Sequence, residues 1–99
     1  MGYIRTEEMN KLFETILKLE NIEECYSFFE DICTIKEMQD MAQRLAVAVL
    51  LDKGENYQKI SQEVSVSTAT ISRVSKCLHY GSGGYRLALD KMKEGEKEA

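Results

Sequence analysis

Ninety-nine residues suffice for one domain, and a chain that is 43% hydrophobic and 30% charged has a globular balance that excludes global disorder. A formal net charge of −4 excludes a uniformly basic nucleic-acid coat, while three cysteines with one histidine and no CxxC pair exclude a zinc module. The longest apolar run, residues 45–51, is too short to cross a bilayer.

Cys25, Cys33 and Cys77 are expected as free thiols that pack as small apolar residues in a reducing compartment. No signal peptide or membrane span is visible, so a soluble cytoplasmic protein is expected, with no membrane partner. The charge is unevenly distributed. Residues 1–34 carry three cations against eight anions, a net of −5, whereas residues 55–80 carry three against two, a net of +1. DNA affinity follows local phosphate contacts more than the sum, and so few cations per copy favour a dimer.

In chain order, Thr6 caps a helix whose Met9, Leu12, Phe13, Ile16 and Leu17 recur at three- and four-residue spacing. Asn21 and Glu24 resemble a capping box opening a second helix with Ile22, Cys25, Tyr26, Phe28, Phe29 and Ile32 as its apolar set. A cleaner box, Thr34-Ile-Lys-Glu37, starts a helix through Met38, Met41, Ala42, Leu45, Val49 and Leu50 to a stop at Gly54. Asn56 or Tyr57 opens the next helix to Val64, and Ser67 caps another running to about Leu78. Gly81-Ser-Gly83-Gly84 breaks the chain before a final helix from about Tyr85 to Lys93, with Leu87, Leu89 and Met92 as its apolar positions. With no proline and no strand pattern, the expectation is a six-helix, all-α single domain over residues 1–94. Residues 95–99 form a frayed tail. The aromatic-bearing stripes of residues 1–33 either fold back on residues 35–80 or interlock with a second copy as dimerisation helices. The second is preferred.

Residues 57–78 carry the most information. Ile60, Val64, Val66, Ile71 and Val74 can close a small core between two steeply crossing helices, Ser61 supplies the small residue at the crossing, and Ser65 takes a left-handed turn position that glycine often fills. Ser67 offers a cap at a helix N-terminus that also favours a phosphate. Thr68, Ala69, Thr70, Ser72 and Arg73 face outward, where methyls meet thymine methyls and hydroxyls meet base edges or phosphates. Gln58, Lys59 and Gln62 sit where a duplex backbone passes, and Lys76 adds a phosphate contact. Small hydroxyls also cap and solvate helices in proteins that bind no DNA. The complete pattern, with its apolar spacing and Arg73, favours a helix-turn-helix.

At these residues the chain resembles the Trp repressor superfamily, and within it the YerC/YecD branch of Trp repressor-like proteins. The residues responsible are Thr34-Ile-Lys-Glu37, Gln43-Arg44-Leu45, Leu51-Asp-Lys-Gly54 and Val66-Ser-Thr-Ala-Thr-Ile-Ser-Arg73. The resemblance covers residues 30–94 by motif and residues 1–29 only as amphipathic helices. It implies an intertwined homodimer with two reading heads spaced for successive major grooves, and repression of transcription at a double-stranded DNA operator. It also implies a ligand slot, with Arg44 and Arg73 at the positions of the flanking arginines and Thr34 at a further ligand contact. From the residues alone, Arg44 either serves such a slot or extends to solvent and pairs with a carboxylate such as Glu37 or Asp40. Two positions depart from the family. Val74 stands where the repressor has glycine beside the indole ring, and Cys77 replaces a serine. Tryptophan is therefore not the expected corepressor; a smaller ligand, or none, is, and no cofactor or metal is assigned. The chain lacks any nucleophile–base set, phosphate loop or metal cluster, so it is not read as an enzyme. The alternative function is a protein-interaction module that keeps this fold without binding DNA, in keeping with the acidic N-terminal third.

Overall fold

The computed structural model describes residues 5–98, which form six α-helices and no strand: α1 (Glu7–Leu17), α2 (Ile22–Ile32), α3 (Ile35–Asp52), α4 (Tyr57–Val64), α5 (Thr68–Tyr80) and α6 (Gly84–Glu98). Residues 1–4 of the expected domain and Ala99 of the expected tail lie outside the described residues. The chain divides into two compact units, Met1–Met38 and Gln39–Ala99, with the boundary inside α3.

In the first unit the sequence acts locally. The Thr6 hydroxyl accepts from the Met9 amide at 3.1 Å, and the Asn21 side chain accepts from the Glu24 amide at 2.9 Å. Each satisfies one of the amides that a helix start leaves orphaned. The Glu24 carboxylate reaches back one residue further than a capping box does, to the Glu20 amide at 2.9 Å. At α3 the box is complete: the Thr34 amide donates to Glu37 at 2.8 Å, and the Glu37 amide donates to the Thr34 hydroxyl at 3.1 Å. These bonds, led by the Thr34 amide, draw the Glu37 carboxyl below its ordinary value. Neither α1 nor α2 buries any residue, and Leu17 and Ile22 stand 83% and 70% exposed.

The second unit holds the core. Val47, Ala48, Ile60 and Ile71 are fully buried, and Val74 and Leu89 nearly so, with Val64, Val66, Leu78 and Tyr85 packed around them. Burying each large aliphatic side chain stabilises by about 1.5–3 kcal/mol. The face of α3 that goes inside differs in part from the expected stripe: the expected Val49 and Leu50 pack against the core, but Val47 and Ala48 are its buried members, while Met41 and Leu45 remain about 40% exposed. A run that is apolar on every side does not reveal which side is covered. Gly54 takes φ +86, the Gly54 amide donates to the Leu51 carbonyl, and the Glu55 amide donates to the Leu50 carbonyl. This tight reversal closes α3.

Two further differences concern the C-terminal half. Helix α5 continues to Tyr80, and α6 runs to Glu98 through residues expected as a tail. Glutamate and lysine are good helix formers, and nothing in that stretch blocks the backbone. Helix α6 is also tied to α3 by charge. The Asp52 carboxylate accepts from Arg86 at 2.9 Å and pairs with Lys93 at 2.8 Å, and Arg86 reaches Asp90 at 3.3 Å. Hydrogen bonding from Arg86, then from Lys93, lowers the Asp52 carboxyl from 3.8 to about 2.

That depression predicts a pH dependence. The folded carboxyl titrates below the unfolded one, so its contribution is complete above about pH 4 and is lost as pH falls toward 2. Arg86 and Lys93 are about half exposed, which leaves about 1 kcal/mol after solvent screening. Denaturant titration of D52N should show a loss of that size at neutral pH and a gap to the parent that closes toward pH 2. An unchanged gap across that range would remove the linkage.

A second prediction concerns the turn between α4 and α5. Ser65 adopts φ 59 and ψ 49, the left-handed region where a side chain costs about 1 kcal/mol. Ser65→Gly should raise stability by about 0.5 kcal/mol, and the β-branched Ser65→Val should lower it by at least about 1 kcal/mol. Equal melting temperatures for all three proteins would contradict that strain.

Candidate nucleic-acid interface

Helices α4 and α5 form a helix-turn-helix, and the turn is held by one side chain. The Ser61 hydroxyl donates to the Val66 carbonyl at 2.8 Å, so the small residue expected at the crossing also ties the turn to α4. Asn56 caps α4 by accepting from the Lys59 amide at 2.9 Å. Ser67 caps α5 by accepting from the Thr70 amide at 3.2 Å, and its hydroxyl lies 3.2 Å from that of Thr70. Ser67 is thus occupied as a cap. Beneath, Ile60, Ile71 and Val74 are buried with Val64 and Val66 against them, the set expected from the spacing.

The helical repeat sorts α5 into stripes. Ile71, Val74 and Leu78 turn toward the core, while Thr68, Ala69, Ser72, Arg73 and Lys76 are exposed and Thr70 is half-buried. On α4, Gln58, Lys59 and Gln62 are exposed, and Lys59 forms a pair with Glu55 at 3.2 Å across one helical turn. That pair is solvent-exposed and weak, so it leaves the ammonium exchangeable for a phosphate. The surface so formed combines hydroxyls, a methyl and cations without a carboxylate on α5.

Beside this surface lies an open hollow of about 250 Å³ lined by Arg44, Thr70, Arg73, Val74, Cys77 and Tyr85. Four of the five residues considered for a ligand slot meet there. The fifth, Thr34, is engaged in the capping box with Glu37. Val74 is 3% exposed, so its branched side chain belongs to the core and to the hollow's wall at once. Cys77 is exposed rather than buried, because it shares a stripe with Thr70 and Arg73 instead of with Ile71 and Val74. Tyr85 was not singled out by the sequence. It enters because α6 begins just after Gly83, at φ +91, and its first turn packs against the core beside Val74.

The similarities to known proteins agree with this geometry. The family model for Trp repressor protein matches residues 7–93. The uncharacterized protein YerC of Bacillus subtilis (strain 168) is 53% identical over 96 residues, covering 97% of this chain and 92% of that protein. A crystal structure described as a candidate Trp repressor from Staphylococcus aureus superposes with a TM-score of 0.89 at 47% identity, covering 93% of this chain and 92% of the other. A TrpR-like protein from Eubacterium eligens ATCC 27750 superposes with a TM-score of 0.91 at 39% identity, covering 94% and 96%. With the six-helix architecture, the helix-turn-helix and a family match over nearly its whole length, this chain belongs to the Trp repressor family.

Proposed function

We propose that this protein is a sequence-specific DNA-binding regulator that acts in the cytoplasm as a homodimer and represses transcription at a double-stranded operator. The observation that carries this reading is α5: Thr68, Ala69, Ser72, Arg73 and Lys76 are exposed along a helix whose opposite stripe is anchored in the core. Small hydroxyls and methyls permit close approach to base edges, and the cations meet phosphates. Family membership supports it, since a Trp repressor is a regulator. Val74 argues against control by tryptophan, because its side chain fills space beside Arg73. Among the described residues no helix is long and apolar enough to cross a membrane.

The DNA reading is tested with duplexes selected from a random-sequence pool. The double variant Thr70→Ala with Arg73→Ala should reduce affinity at least about a hundredfold, and the parent should lose affinity steeply with salt. Neither side chain is in the core, so the melting temperature should hardly move. Retained affinity in the double variant would discard this surface. No parental binding at low salt would favour a protein-interaction module, the reading that the acidic N-terminal third suggests.

The homodimer rests on the uncovered apolar side chains Phe13, Leu17, Ile22, Tyr26, Ile32 and Ile35, which water penalises and a second copy would cover. Sedimentation should give about twice the 11.3 kDa chain mass. Leu17→Glu together with Ile22→Glu should shift the protein toward the monomer. A parent that sediments as a monomer at all concentrations would remove the dimer.

A further inference from the structure

The outward stripe of α5 does not end at Lys76. Ala69, Arg73, Lys76 and Tyr80 follow at spacings of four, three and four, on the side of the helix opposite Ile71, Val74 and Leu78. Tyr80 is 86% exposed, more than any other large apolar side chain among the described residues. A lone exposed ring is ordinary on a protein surface, but the setting of this one is not. Residues 64–89 contain no aspartate or glutamate, in a chain that has 17 of them, while Arg73 and Lys76 fall within that run. The backbone leaves Tyr80 through Gly81-Ser-Gly83-Gly84, and a Cβ at Gly81 would collide with the Cys77 carbonyl. Helix α5 therefore stops without a neighbouring side chain beside the phenol. The His79 ring meets the Tyr80 ring edge-on, with centroids 6.2 Å apart, and restrains its orientation.

We propose that Tyr80 is a further DNA contact, its hydroxyl donating to a phosphate of the duplex backbone beside the major groove. This role rests on the DNA-binding reading above. At about 1.5 Å per residue, Tyr80 lies about 16 Å along the axis from Ala69, and the major groove is only about 8.5 Å deep. With Thr68 and Ala69 at the base edges, Tyr80 is therefore level with the sugar-phosphate chain and not with the bases. Helical side chains lean toward the N-terminus, which carries the phenol hydroxyl back toward that chain. A phenol is a neutral donor, so it fixes position on the duplex without releasing a counterion. A phosphate chain is favoured by the absence of carboxylates that residues 64–89 provide, whereas an apolar partner surface gains nothing from it.

The experiment compares the full chain with Tyr80→Phe and Tyr80→Ala on selected and on unrelated duplexes across a salt series. Tyr80→Phe should lower affinity about fivefold and Tyr80→Ala about tenfold, on both kinds of duplex alike, because a phosphate contact carries no sequence information. The salt dependence should stay that of the parent in Tyr80→Phe, whereas Lys76→Gln, which removes a cation, should flatten it. Duplexes with a neutral methylphosphonate at one backbone position at a time should include one on which the parent and Tyr80→Phe bind equally. Both tyrosine variants should keep the parent's melting temperature and sedimentation, since the ring is uncovered. Affinity undiminished in Tyr80→Ala, while Thr70→Ala with Arg73→Ala abolishes binding, overturns the Tyr80 contact and leaves the DNA reading standing. A Tyr80→Phe protein that binds like the parent overturns the hydroxyl's role, and a loss confined to the selected duplex overturns the backbone assignment. A shift of Tyr80→Ala toward the monomer makes Tyr80 a contact between copies and overturns the proposal. A parent that binds no DNA at low salt overturns both the reading and the contact.

Discussion

One small core carries the second unit. Val47 and Ala48 of α3, Ile60 of α4, Ile71 and Val74 of α5 and Leu89 of α6 meet in it, so four helices depend on the same few aliphatic contacts. Because so little surface is buried, each member fixes something at the exterior as well. Ile71 and Val74 set the rotation of α5, and that rotation alone decides that Thr70, Arg73 and Cys77 share an outer stripe. The charge cluster at Asp52 adds a peripheral tie between α3 and α6, worth less than any one core aliphatic.

This arrangement makes α5 a shared element. Its outer face carries the groups suited to DNA, its inner stripe is core, and the stripe between them borders the hollow. Val74 sits at the junction, where a residue without a side chain would leave both a looser core and a deeper slot. Exchanging such a residue therefore changes the core and the shape of the hollow together. Thr70 and Arg73 thus belong both to the hollow's lining and to the surface proposed to meet DNA.

The first unit follows a different logic. Its helices are well specified at their ends by Thr6, Asn21 and the Thr34–Glu37 box, yet α1 and α2 bury nothing. Capping energies of about 1 kcal/mol each decide where a helix begins, but they cannot compensate for apolar side chains left in water. Helix identity and helix burial are separate questions, and in this unit they have separate answers.

Much of this was legible in the sequence because it is local. The five caps at Thr6, Asn21, Thr34, Asn56 and Ser67, the left-handed Ser65 and the stop at Gly54 all depend on residues within a few positions of one another. The core set of the helix-turn-helix was legible too, since its two helices are joined by so short a turn that few alternatives exist. Tertiary structure decided what local patterns leave degenerate. The apolar run of α3 fits several faces, and only contact with α4, α5 and α6 selects Val47 and Ala48. Asp52 and Arg86 lie 34 residues apart, beyond any helical period. Tyr85 reaches the hollow only because α6 returns beside Val74. Backbone hydrogen bonding and capping act over one turn and can be read along the chain. Which faces meet is set by the summed burial of distant side chains, and that becomes defined only when the helices are in place.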